Sequence, residues 1–170
     1  VRVGSDRDWL AIAGGTEHLL ALKTNGSLWA WGRNDCGQLG DGTVEYRAQP
    51  ARIGSDADWL AVAAGGGFTG GHSVALKRDG SLWIWGNYCP KATSNVVMNS
   101  TLATRPTRLG ADNDWKQIAA GDGFTLAIKQ NGTLWALGLD CSGMLGKPNS
   151  IIPQLARVGT ARDWIGAAAE

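Results

Sequence analysis

The chain predicts an all-β fold of repeated four-stranded units, and three observations carry that prediction. A phrase of about fifty residues is written three times in the 170 residues and opens a fourth time, which marks a repeat architecture. Each copy places an Asn-Gly or Asp-Gly pair between two short apolar segments, the strongest local sign of a β-hairpin. Helical periodicity is absent throughout, so nothing competes with the strand reading.

Four strands per copy follow in order. A proline-led strand comes first, at Pro50 to Ile53, Pro106 to Leu109 and Pro153 to Val158, since proline at strand entry or on an outer edge loses no needed donor. A segment of small residues follows it: Leu10 to Gly14, Leu60 to Gly65, and Gln117 to Gly121. Small side chains suit a strand crowded against its equivalents near an axis. The first hairpin arm is His18 to Lys23 in copy one and Ser73 to Lys77 in copy two; the returning arm is Ser27 to Gly32, matched by residues 81–86 and 133–138. Both arms are apolar on alternate faces, so both sides of the sheet should be covered. The turns at Gly26, Gly80 and Gly132 are expected to be type I′, with positive φ at both central residues. Four strands per copy describe one blade of a β-propeller.

The nine tryptophans all fall on repeat landmarks: Trp9, Trp59, Trp115 and Trp164; Trp29, Trp83 and Trp135; Trp31 and Trp85. That placement argues for packing between neighbouring blades, each ring burying about 150–250 Å². The copies divide the single domain, residues 1–170, into about 1–49, 50–105 and 106–152, with a fourth opening at 153–170.

Those residues resemble the RCC1 (regulator of chromosome condensation) repeat family. Copy one carries the resemblance best, as Leu20-Ala21-Leu22-Lys23, Gly26-Ser27-Leu28-Trp29-Ala30-Trp31-Gly32-Arg33-Asn34 and Gly37-Gln38-Leu39-Gly40-Asp41-Gly42-Thr43. The tail degrades to Gly143-Met144-Leu145-Gly146 in copy three and is replaced by Asn87-Tyr88-Cys89-Pro90 in copy two. The resemblance implies RCC1-like blades in a ring usually of more copies than this chain holds. The expectation is either a segment of a longer propeller or a protomer that self-associates to close one, two chains supplying six repeats. The compact Leu-Trp-x-Trp-Gly hairpins look like the bacterial style of the family.

Bulk properties exclude several functions. Sixteen basic and fifteen acidic residues are well mixed, net +1, with no basic stripe to neutralise a phosphate backbone, so nucleic acid is not an expected partner. No apolar run is long enough to cross a bilayer; no signal peptide is seen, but Val1 is not a natural start, so that absence excludes nothing. Cys36, Cys89 and Cys141 lack zinc-ligand spacing and read as free thiols, a Cys89–Cys141 bridge staying open.

The catalytic inventory is thin. His18 aligns with Phe124 in copy three, and with Phe68 or His72 in copy two; a position that takes His or Phe reads as packing. Asp6/Asp8, Asp56/Asp58 and Asp112/Asp114 recur with the repeat, which points to turn formation rather than an acid–base pair. Arg2, Arg52, Arg108 and Arg157 recur in phase and read as structural or edge-protecting. The Gly-rich insertion Ala64 to His72 lacks the Lys-Ser/Thr and helix of a phosphate loop and reads as a rim loop. No metal site and no cofactor is expected.

Non-repeating loops at 33–49, 87–105 and 139–152 remain, and recognition usually resides in loops on a rigid scaffold. Arg33, Tyr46, Arg47, Tyr88, Lys91, Met98 and Lys147 combine cationic, aromatic and flexible character there, as interface anchors do. The expected function is a non-catalytic protein-binding scaffold, not an enzyme. By resemblance, the alternatives are a secreted inhibitor propeller, a guanine-nucleotide exchange factor for a small GTPase, and an ultraviolet photoreceptor. A small-molecule binder or enzyme using the central opening is the competing class. Compartment stays open, a secreted or periplasmic setting fitting the inhibitor version.

Overall fold

The computed structural model describes residues 5–66, 70–87, 103–140, 143–146 and 150–168. These residues form three antiparallel four-stranded sheets. The first contains β1 (Trp9–Gly14), β2 (His18–Lys23), β3 (Leu28–Gly32) and β4 (Arg47–Arg52). The second contains β5 (Trp59–Gly65), β6 (His72–Lys77), β7 (Leu82–Gly86) and β8 (Ala103–Arg108). The third contains β9 (Trp115–Ala120), β10 (Phe124–Lys129), β11 (Leu134–Asp140) and β12 (Ser150–Arg157). Each is a meander in chain order, no sheet closes on itself, and the described residues hold no helix. The all-β, blade-type reading holds: this is part of a propeller.

The sheets divide the chain at a different place from the written phrases. The proline-led strand pairs with the hairpin strand before it, Trp29 opposite Arg52 and Trp83 opposite Arg108. It is therefore the outer edge of the preceding blade, where proline's missing N–H faces no ladder.

Alternation along the hairpin arms explains how the sheets stack. Leu20, Leu22, Leu28 and Ala30 leave one face of the first sheet and join Trp59, Ala75 and Trp85 of the second in one buried cluster. Val74, Leu76, Leu82 and Ile84 repeat the pattern against Trp115, Ala127 and Leu137 of the third. Burying each large side chain is worth about 1.5–3 kcal/mol. The small-residue strands β1, β5 and β9 approach one another directly, as their alanines allow. Trp59, Trp85 and Trp115 are at most 3% exposed between sheets, whereas Trp164, in the fourth copy, is 41% exposed.

The hairpin turns differ from the type I′ expectation. Gly26 N donates to Lys23 O at 2.9 Å and Lys23 N to Ser27 O at 3.1 Å, enclosing a three-residue loop, and Gly26 has φ +79°. This is a type I turn followed by a left-handed glycine, so one positive φ suffices. Asn25 Oδ1 accepts from Ser27 N at 3.0 Å and Ser27 Oγ at 2.7 Å, and Asp79 and Asn131 repeat the motif.

The glycine is required for a second reason. A Cβ at Gly26 would lie 2.2 Å from Ala57 O, at Gly80 2.1 Å from Asn113 O, and at Gly132 2.1 Å from Arg162 O. Each turn backs onto the segment leading into the next copy, where its carbonyl accepts from Trp59 N, Trp115 N or Trp164 N at 3.2 Å. The turn is thus a latch between blades.

Gly110 has nearly the same φ as Gly80, +75° against +77°, but nothing within 4 Å of a Cβ. Gly110→Ala should cost about 1–2 kcal/mol of backbone strain alone. Gly80→Ala should add about 1–3 kcal/mol of overpacking. Urea denaturation followed by circular dichroism checks this, and equal losses at the two positions would contradict the latch.

Candidate functional site

Antiparallel order sends the β1–β2 and β3–β4 connections out of one end of each sheet, opposite the hairpin turns. This loop end carries the candidate partner-binding residues that are described, Arg33, Tyr46 and Arg47. The Arg33 guanidinium bonds Asp35 at 2.6 and 2.7 Å and also pairs with Glu17, about half of each side chain remaining in solvent. Hydrogen bonds donated to Asp35 and then to Glu17 hold Arg33 firmly in its charged form. Arg47 clasps Asp41 Oδ2 at 2.8 and 2.9 Å, and Tyr46 is 69% exposed. Arg33 and Tyr46 thus belong to one connection, Arg47 opens the strand after it, and the two arginines are displayed but tethered. Tyr88, Lys91, Met98 and Lys147 lie outside the described residues, as do Cys89 and Cys141; Cys36 is a free thiol whose pKa burial pushes up.

Half of that connection is not a solvated rim. Asn34 is buried, its Oδ1 accepting from Leu39 N at 2.9 Å and its Nδ2 reaching Asp41 and Thr43. This folds Gly37 to Gly40 onto the second sheet. Gln38 O accepts from Ser73 Oγ at 2.7 Å and from Trp85 Nε1 at 2.9 Å, and a Cβ at Gly40 would touch the Trp85 ring at 2.7 Å. In the third sheet Asp140 takes the Asn34 place, Leu145 N donating to its Oδ2 at 3.1 Å.

The histidines extend the same seam. His72, not Phe68, stands equivalent to His18 and Phe124, since all three begin the second strand of a sheet. His18 Nε2 lies 3.0 Å from Ser73 Oγ, which itself donates to Gln38 O at 2.7 Å. His72 Nε2 lies 3.0 Å from Thr125 Oγ1. Burial pulls both pKa values down to about 4, the neighbouring His18 adding to the effect at His72. Neutral and enclosed between sheets, they are seam residues, not acid–base catalysts.

The paired aspartates do more than shape turns. Lys23 Nζ meets Asp6 at 2.7 Å and Asp8 at 3.1 Å, and sits 4.5 Å from the Trp29 ring centre and 5.0 Å from that of Trp9. Lys77 with Asp56, Asp58, Trp59 and Trp83 repeats the box, as does Lys129 with Asp112, Asp114, Trp115 and Trp135. Hydrogen bonds that Lys23 donates to Asp6 and then to Asp8 raise its pKa; for Lys77, burial opposes and the two aspartates prevail. The signal was in the sequence: Lys is the single charge in an apolar strand and needs a counter-ion. Arg52, Arg108 and Arg157 are structural as read, each donating to a backbone carbonyl three residues on.

Among the described residues no three His, Cys, Asp or Glu side chains group to hold a metal, and no helix is long and apolar enough to cross a membrane. What the site offers is a rigid stack of blades with charged and aromatic groups at the loop end.

Residues 25–76 match a family model described as the Regulator of chromosome condensation (RCC1) repeat, and residues 9–38 and 115–143 match a second model so described. The chain belongs to the RCC1 repeat family. RCC1-repeat relatives include the Ultraviolet-B receptor UVR8 of Arabidopsis thaliana, 31% identical over 94% of this chain and 36% of the relative. The Guanine nucleotide exchange factor SRM1 of Saccharomyces cerevisiae is 29% identical over 84% of this chain and 30% of its own length. The crystal structure of Prp20p from Saccharomyces cerevisiae, described with its binding to Gsp1p and histones, superposes at a TM-score of 0.72. Its identity is 26% over 91% of this chain and 39% of Prp20p. The chain therefore spans under two fifths of each of these relatives.

Two expectations are corrected. These RCC1-repeat relatives come from a plant and a yeast, so the bacterial style is not upheld. Hairpin compactness here follows from the Gly26-type latch, a packing constraint repeated at Gly80 and Gly132. The reading as not an enzyme is overturned by relatives named as guanine nucleotide exchange factors, from Saccharomyces cerevisiae and Bos taurus. Exchange is catalysis by differential binding of a partner's states, so a thin stock of acids, bases and metals never bore on it.

Both histidines are neutral in the folded chain near pH 6.5 but protonated in the unfolded chain below it. Stability should therefore be full above about pH 6.5 and fall as pH drops toward 4. His72→Phe, which installs the residue of the third sheet, should flatten part of that slope. Urea midpoints at neutral pH and near pH 4.5 for both proteins test it; parallel slopes would refute the assignment.

Proposed function

We propose that this chain is part of a protein-binding RCC1-repeat propeller whose loop end serves guanine-nucleotide exchange on a small GTPase. The observation that carries the reading is the likeness, over most of the chain, to SRM1 and to Prp20p. The geometry supports it. Exchange demands a platform stiffer than the partner it distorts, and the sheets here are locked by the Gly26-type latch and the Gln38–Trp85 seam. On that platform Arg33 and Tyr46 stand in solvent, a cation and an aromatic ring of the kind that anchors interfaces.

The test is release of a fluorescent GDP from Gsp1p and from a panel of other small GTPases, with and without the chain. Accelerated release is expected. Arg33→Ala and Tyr46→Ala should each lower it about tenfold or more, with the thermal midpoint unchanged. A folded chain that speeds release from none of them would refute the proposal.

A further inference from the structure

Two of the hairpin turns, Asn25-Gly26 and Asn131-Gly132, carry a chemistry that the packing does not use. An asparagine followed by glycine can react with its own backbone. The glycine nitrogen, unshielded by a Cβ, attacks the side-chain Cγ, the Cγ–Nδ2 bond breaks, and ammonia leaves with the proton. Water then opens the cyclic imide. Cleavage at Cγ gives aspartate, and cleavage at the main-chain carbonyl gives isoaspartate, whose backbone is one carbon longer. Both asparagines are exposed, so water and base reach them.

The turn that displays them opposes each requirement of that reaction. The nucleophile is engaged: Gly26 N donates to Lys23 O at 2.9 Å and Gly132 N to Lys129 O at 3.0 Å. The electrophile is held as well. Asn25 Oδ1 accepts from Ser27 N at 3.0 Å and Ser27 Oγ at 2.7 Å, and Asn131 Oδ1 from Thr133 N at 3.1 Å and Thr133 Oγ1 at 2.7 Å. A type I turn also keeps ψ of its third residue, here the asparagine, at about 0°. There the following nitrogen eclipses the residue's own nitrogen and lies well away from the Cβ side, so ring closure requires the turn to open. Opening also frees the latch, since Gly26 O holds Trp59 N and Gly132 O holds Trp164 N, each at 3.2 Å.

We infer that Asn25 and Asn131 are deamidation sites that the latch keeps shut, so that modification accumulates only as the turns open. The second sheet displays the product in advance. Asp79 occupies the same place, its Oδ1 accepting from Ser81 N at 2.9 Å and Ser81 Oγ at 2.6 Å, with Gly80 at φ +77° against +79° at Gly26. Deamidation of Asn25 to aspartate therefore restores the turn. Isoaspartate does not, because its extra backbone carbon lengthens the three-residue loop and carries Gly26 O off Trp59 N. One product returns a working latch and the other removes it.

Peptide mapping by mass spectrometry tests this on the whole chain, folded and in urea beyond its unfolding midpoint, at mildly alkaline pH. In urea, Asn25 and Asn131 should deamidate ahead of every other asparagine. In the folded chain both should react at least about tenfold more slowly, which corresponds to an opening free energy of about 1.4 kcal/mol or more. Ser27→Ala removes one donor from Asn25 Oδ1 and should speed the reaction at Asn25 more than at Asn131. Asn25→Asp should keep the thermal midpoint of the parent chain, and chains carrying isoaspartate there should melt lower. Equal rates folded and in urea would overturn the inference, as would other asparagines reacting first in urea. So would a Ser27→Ala effect equal at both sites, a lowered midpoint for Asn25→Asp, or isoaspartate chains as stable as that variant.

Discussion

The close approach between each hairpin turn and the chain leading into the next copy governs this structure. Gly26, Gly80 and Gly132 bring their backbones within reach of a carbonyl that any Cβ would strike, and in return offer a carbonyl to the next copy's indole-bearing residue. A sheet of this size, apolar on both faces, has no independent core. It becomes stable by lending its back to one neighbour and its front to another, so the latch that sets the spacing sets everything packed behind it.

Around that latch, polar groups specify which sheet meets which. Gln38 O collects two donors from the second sheet, one of them the hydroxyl that His18 uses. Such bonds add modestly to stability, but an unmatched buried donor is costly. The seam therefore discriminates against wrong neighbours more than it strengthens right ones. The Lys–Asp–Trp boxes act within each copy, fastening the inner strand's leading segment to the hairpin. Their aspartates are about half exposed, so the ion pairs contribute little individually; the lysine's placement between two indoles is what they secure.

Function on such a scaffold falls to groups that the packing does not consume. The division runs through the middle of a loop. Asn34, Gln38 and Leu39 are buried to hold the connection against the second sheet, while Arg33 and Tyr46 at its two ends remain in water. A rigid connection that displays its ends can grip a partner without ordering itself first, which lowers the entropic cost of association.

Strand content, hairpin positions and repeat spacing were legible from residues alone because they depend on local chemistry: turn glycines, two-faced apolar arms, edge prolines. The tie between Asp6, Asp8 and Lys23 was not drawn, although a lone lysine in an apolar strand asks for a counter-ion. The turn type was misread because the left-handed glycine of a type I turn and the glycine of type I′ look alike in a sequence. Arg33 and Tyr46 could be chosen as exposed; that Gln38 and Leu39 between them are buried could not, since their partners Ser73 and Trp85 lie 35 or more residues away and belong to another sheet. The sequence by itself determined which segments are strands and where each bends, since those choices are made within a few residues. Which face meets which, and hence which polar groups are spent on packing and which are left for a partner, was decided only when the sheets came together, because burial is a property of neighbours.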